Sequence, residues 1–165
     1  MRTILAAVLA SCLFLSCNKE KDTEYFIRFK VNGEWVYFAK AGFVIEDASN
    51  PGTEYISIAG RSKDLQTVFL IGAEMPADPQ PGTYDTENDG LEFGYATNAG
   101  PGGSNETIYY TMYPVAGKPN PHFILHITSM TETEVRGNFT GNYLADEDEN
   151  FVEVTEGEFV VRIEE

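Results

Sequence analysis

Two histidines, His122 and His126, are the chain's only imidazoles. Four apart on a helix they would share a face and offer a transition-metal pair. Here they sit in His122-Phe123-Ile124-Leu125-His126-Ile127-Thr128, whose β-branched and aromatic content reads as a strand. Residues four apart on a strand also share a face, but at about 13 Å, too far to chelate one ion. The expectation is two structural or surface histidines.

Carboxylates are the next chemistry on offer. Asp85, Glu87 and Asp89 alternate ahead of Gly90, echoing the oxygen ligands and turn glycine of a calcium loop. The position that should carry the closing carboxylate holds Ala96 instead, and no helical pattern flanks the stretch. A second cluster, Asp146-Glu147-Asp148-Glu149-Asn150, lies between two apolar segments. Asp85, Glu87, Asp89, Asp146 and Asp148 are therefore the positions where a cation would bind if one binds. The expectation is solvated turns, with no metal and no cofactor. Glycoside hydrolysis needs two carboxyls facing across a cleft at about 5–9.5 Å, and spacing singles out no such pair. A serine–histidine–acid system would want a nucleophile elbow, which is missing. No residue is assigned a catalytic role. Trp35, Tyr109-Tyr110 and Tyr113 are aromatics able to stack on sugar rings, or else to fill a core.

The elements that must hold these residues alternate with period two. Tyr25, Ile27, Phe29 and Val31 fall on one side of the first segment, Arg28 and Lys30 on the other, as in a strand with one buried face. Asn32-Gly33 follows; both residues accept the positive φ of a type I′ turn, so a hairpin to Glu34–Lys40 is predicted. Further strands are predicted over Gly42–Glu46, Tyr55–Gly60, Thr67–Ala73, Leu91–Ala96, Thr107–Tyr113, His122–Ser129, Glu134–Leu144, Phe151–Thr155 and Glu158–Ile163. Between them stand turn formers: Asn50-Pro51-Gly52, Met75–Gly82 with its three prolines, Asn88-Asp89-Gly90 and Pro119-Asn120-Pro121. Asn98–Asn105 reads as a loop. Short strands with frequent turns predict an all-β fold, a single antiparallel β-sandwich of about 9–11 strands. A lipocalin-like β-barrel is the alternative that periodicity leaves open.

The N-terminus reads as an address. Met1-Arg2 and an apolar run from Ile4 to Leu15 precede Ser16-Cys17, the grammar of a secretory signal. The run is too short to span a membrane, which takes about 20 apolar residues. A small residue before cysteine is what lipoprotein processing needs, since the thiol accepts a diacylglycerol and becomes the new N-terminus. Cys12, after Leu9-Ala10-Ser11, is a competing site. Cleavage there would leave a very short apolar core and put Leu13-Phe14-Leu15 just after the anchor. An ordinary secretory signal is the other alternative. The expected division is a lipoprotein signal peptide over 1–16, lipidated Cys17 with a polar tether over 17–24, and a β-sandwich domain over 25–165.

Processing before Cys17 removes 16 of 165 residues and takes the net charge from −15 to −16. Nucleic acid is excluded as a partner, because phosphate binding begins with a basic surface. Anionic head groups repel such a domain, so attachment to the membrane falls to the lipid on Cys17. An acylated Cys17 leaves no thiol for a disulfide, and the fold must rest on packing.

Three stretches carry a resemblance: Phe29-Lys30-Val31-Asn32-Gly33 with Trp35; Pro81-Gly82-Thr83-Tyr84; and Val135-Arg136-Gly137-Asn138-Phe139-Thr140-Gly141 running on to Glu156-Gly157-Glu158-Phe159. With the lipoprotein start, the chain resembles the small uncharacterised lipoproteins of the Bacteroidetes outer membrane. That resemblance implies a lipid-anchored β domain of unknown function and carries over no catalytic residue. In such organisms an acidic stretch after the lipidated cysteine resembles a surface-export signal. Here Lys19 and Lys21 interrupt Glu20 and Asp22, which leaves surface and periplasmic leaflet both open. The functional expectation is a non-enzymatic binding or structural module of the cell envelope, with a glycan or an envelope protein as partner. Its rival is a glycan-directed hydrolase using paired carboxylates.

Overall fold

The computed structural model describes residues 25–47, 52–64, 66–76, 80–98 and 106–163. The expected signal peptide over 1–16, Cys17 and the expected tether over 17–24 lie outside the described residues. So do Asn50-Pro51, Ala77-Asp78-Pro79 and most of the loop after Asn98.

Every regular element among the described residues is a strand: β1 (Phe26–Val31), β2 (Glu34–Phe38), β3 (Lys40–Asp47), β4 (Thr53–Arg61), β5 (Thr67–Pro76), β6 (Gly82–Asp85), β7 (Glu92–Thr97), β8 (Thr107–Tyr110), β9 (Phe123–Met130), β10 (Glu134–Gly141), β11 (Tyr143–Ala145) and β12 (Phe151–Ile163). The predicted hairpin is present, with Asn32 at φ 50° and Gly33 at φ 84°, both in the left-handed region a type I′ turn demands.

The strands form one hydrogen-bonded network folded into two layers. One layer runs β2-β1-β12-β10-β9-β6, and the other runs β3-β4-β5-β7-β8. They join at two corners. At one, the end of β12 pairs with β3 through Arg162–Gly42 and Ile163–Phe43. At the other, β11 bridges from β12 to β8 through the single pair Ala145–Tyr110. The path through β12, β3, β4, β5, β7, β8 and β11 therefore returns to its start, but β1, β2, β10, β9 and β6 lie outside that ring. The fold is a sandwich with joined corners.

Phenylalanine fills the space between the layers. Phe29 of the first layer lies 4.2 Å from Phe69 of the second, ring centre to ring centre, and Phe139 lies 5.4 Å from Phe69 and 5.3 Å from Phe93. Phe93 in turn stacks on Phe123 at 4.3 Å. Eight phenylalanines are fully buried, and no polar or charged residue among those described joins them. Each such ring stabilises the fold by about 1.5–3 kcal/mol through burial. Packing of these rings therefore holds the two layers together.

Three of these rings lie over glycines on the neighbouring strand. Phe139 pairs with Gly157, Phe159 with Gly137, and Phe123 with Gly141. A β-carbon at any of the three glycines would overlap the ring of its partner. The pattern explains why β10 and β12 carry glycine where a central strand usually avoids it.

Five details depart from the sequence expectation. The described residues form twelve strands, against about 9–11 predicted. Gly82–Asp85 is a strand, at the sheet edge where Pro81, lacking an N–H, can precede it. The two final segments fuse into β12, 13 residues long, because Gly157 makes room for a ring and does not turn the chain. Glu134–Leu144 divides at Asn142, and one pairing, β12 with β3, is parallel where an all-antiparallel sheet was expected.

Candidate functional site

The outer face of the first layer is built by cross-strand register. One row crosses all six strands: Tyr37, Arg28, Glu158, Asn138, His126 and Thr83. The next begins with Trp35 opposite Lys30. Arg28 ion-pairs with Glu158, and Lys30 with Glu156. Trp35 lies among these cations, with the Arg28 guanidinium 5.3 Å and the Lys30 ammonium 5.2 Å from its ring centre. Tyr37 stacks on Phe26 at 5.9 Å. Because β2 pairs only with β1, these side chains stand at a sheet edge. Trp35 is 53% exposed and Tyr37 48%. Beside Trp35 a groove of about 220 Å³ is lined by Asn138, Thr140, Glu156 and Glu158. An exposed indole next to amide, hydroxyl and carboxylate groups can stack on a sugar ring and hydrogen-bond its hydroxyls.

The remaining aromatics named from sequence serve packing. Tyr109 stacks on Tyr95 at 6.3 Å and Tyr110 contacts Tyr113 at 6.2 Å, all partly buried or buried.

The outer face of the second layer has a different composition. One row reads Arg162, Gly42, Ala59, Leu70, Gly94 and Tyr110; the adjacent row reads Lys40, Arg61, Val68, Ala96 and Ile108. Small residues keep the floor low. A hollow of about 600 Å³ lies at the β12–β3–β4 end, where Lys40, Arg61 and Arg162 meet Tyr25. It adjoins a second hollow of about 250 Å³ along Leu70, Gly94 and Ile108, and Arg61 and Val68 line both. Among the described residues no acidic side chain lines the larger hollow. Sequence reasoning did not find this trough. Its cations stand far apart in the chain and meet only through strand register. The available signal was apolar runs such as Val68-Phe69-Leu70-Ile71, where a half-solvated strand would alternate.

The acidic candidates are used by their own turns. The Asp85 Oδ1 accepts from the backbone N–H of Glu87 at 2.8 Å and of Asn88 at 2.7 Å, and the Asn88 amide donates to both carboxylate oxygens. Asp89 accepts from the Asp85 N–H at 2.7 Å. Asp146 repeats the device, its Oδ1 accepting from the N–H of Asp148 at 3.0 Å and of Asn150 at 2.9 Å. Glu87 lies 3.7 Å from His122 Nδ1. Among the described residues no three metal-ligating side chains come together. His126 shares a 2.9 Å hydrogen bond with Thr83 Oγ1. His122 lies one residue before β9, facing Thr86 and Glu87. Among the described residues the two histidines share no partner.

The hydrogen bonds to Asp85, first from the Asn88 side chain and then from backbone N–H groups, hold its carboxyl below the ordinary 3.8. A carboxyl with a depressed folded pKa stabilises the fold above its unfolded value, and that contribution is lost as pH falls through the folded value. Asp85→Asn should therefore lower the melting midpoint at neutral pH and flatten its decline as pH falls below about 5. Thermal melts across that range check this; an unchanged acid slope would refute the turn-locking role.

No protein-family model matches the chain, and no curated protein or solved structure matches it either.

Proposed function

We propose that this chain is a lipid-anchored domain of the cell envelope, held to the outer membrane through Cys17, that works as a non-catalytic module binding a glycan at the Trp35 face. The observation that carries this is the half-exposed Trp35 beside a polar groove on an otherwise charged sheet. An exposed indole of this kind is a stacking platform with hydrogen-bonding groups alongside. The rival, a hydrolase with paired carboxylates, asks for acids opposed across a cleft. Glu156 and Glu158 instead stand side by side on β12, and each is neutralised by a cation from β1. That arrangement favours holding a sugar over cleaving one.

Trp35 is the chain's single tryptophan, so its emission reports the site directly. Titration with chitin and mannan oligosaccharides should shift that emission. Retention on the matching insoluble polysaccharide should be lost in Trp35→Ala, with melting lowered only slightly by the missing cation–π contacts, roughly 0.5–1 kcal/mol each. Retention undiminished in the variant, or no shift with any glycan, would overturn the reading. The anchor is tested separately. Cys17→Ser should abolish labelling by a tagged fatty acid and release the domain into the soluble fraction, while Cys12→Ser leaves both as they were.

A further inference from the structure

The structure assigns a second binding site: we propose that the outer trough of the second layer takes an amphipathic anion, an acyl chain with a carboxylate or phosphate head. This is independent of the Trp35 face, which lies on the opposite side of the sandwich. An antiparallel sheet facing water alternates apolar and polar residues, and the first layer does so. The second layer presents Val44, Ala59, Val68, Leu70 and Ala96 outward, against Phe43, Ile58, Phe69, Ile71 and Tyr95 inward. Sheets apolar on both faces are those covered on both faces. Yet Ala59 is exposed, and Val68 and Leu70 stay half-buried. The composition is that of a surface awaiting cover.

Charge says what kind of cover. Lys40 stands directly opposite Arg61 across the β3–β4 ladder, and Arg162 is one strand away beside Gly42. Like charges directly opposite destabilise a sheet. No ion pair among the described residues relieves these three, although the chain carries a net −15. Lys40 and Arg61 face each other with no carboxylate between them, and with Arg162, which also stands opposite Glu134 on its other side, they form an anion site on an acidic protein. They gather at one end of the trough, while the other end, along Leu70, Ile108 and Tyr110, is mostly apolar, with Glu106 as the acidic side chain among its described lining residues. From β3 to β8 is four interstrand steps, about 19 Å at about 4.8 Å each. That polarity and reach fit a head group at Lys40, Arg61 and Arg162 with its chain laid across β5, β7 and β8. The hollows together reach the size range of small-molecule pockets.

The test uses the full chain carrying Cys17→Ser, which cannot be acylated at that position. Displacement of a fluorescent long-chain carboxylate is measured with dodecanoate, dodecyl phosphate and dodecanol, which differ only in the head. Both anions should displace the probe, the alcohol about tenfold less well, the factor for one lost charge-assisted hydrogen bond. The order of the two anions identifies the preferred head. Arg61→Gln and Arg162→Gln should weaken both anions by about tenfold and leave the alcohol unchanged, and Ala59→Leu should block all three. Trp35→Ala should change nothing, which separates this site from the glycan reading. Equal displacement by alcohol and anions, unaltered affinity in both arginine variants, or no binding by melt-verified folded protein would overturn the proposal. So would a dimer in solution that Ala59→Leu dissociates, since the cover would then be a second copy.

Discussion

Phe139→Ala is expected to destabilise the domain by about 4 kcal/mol and lower its melting midpoint by roughly 8–16 °C. The ring is fully buried and stands between layers, within 5.9 Å of Phe29, 5.4 Å of Phe69 and 5.3 Å of Phe93. Its loss removes burial energy and also leaves a void that three rigid neighbours cannot collapse into, so the cavity penalty adds to the transfer term. Phe151, the same side chain at 40% exposure, supplies the contrast. Phe151→Ala should cost less than about 1 kcal/mol by comparison. Urea titrations of both variants check this, and similar losses would mean that the phenylalanine cluster is not the seam between the layers.

Gly137→Ala should rank next, at about 3 kcal/mol, although it adds one methyl group and removes nothing. The added carbon would overlap the His126 carbonyl oxygen and the Phe159 ring. The oxygen belongs to β9 backbone paired with β10, so relief requires the ladder itself to shift. Gly82→Ala is the control. That glycine lies on edge strand β6, has no positive φ, and its added carbon would meet Tyr84 at an ordinary 3.5 Å. Its effect should stay within about 0.5 kcal/mol. Equal melting midpoints for the two variants would show that Gly137 is dispensable to the packing of β10 against its neighbours.

The two glycines also mark what the sequence can and cannot convey. Period-two alternation placed most strands, and Asn32-Gly33 placed the first hairpin, because those signals are local. Gly157 sits mid-strand for a reason 18 positions upstream, the ring of Phe139, so a local reading breaks the strand there. Pro81-Gly82 reads as a turn because nothing nearby reveals that an edge strand follows. The acidic clusters were legible as turns, since Asp85 and Asp146 lock backbone only two to four residues away. Trp35 was visible as an aromatic but not as an exposed one; only its place on an edge strand decides that. The cationic trough was the least legible, being assembled from residues 40, 61 and 162.

Strand β12 has a bearing on the order of events during folding. It pairs with β1, β10, β11 and β3, so both corners of the sandwich depend on it, and it is the last of the described strands. The Arg28–Glu158 pair alone spans 130 positions. Contacts this distant in sequence form late, since the loop must close before they return any energy. A chain delivered N-terminus first holds β1 and β2 without their neighbour until residues 151–163 arrive. The cost falls in the interval before closure, when unpaired edges of β1 and β10 are open to wrong partners.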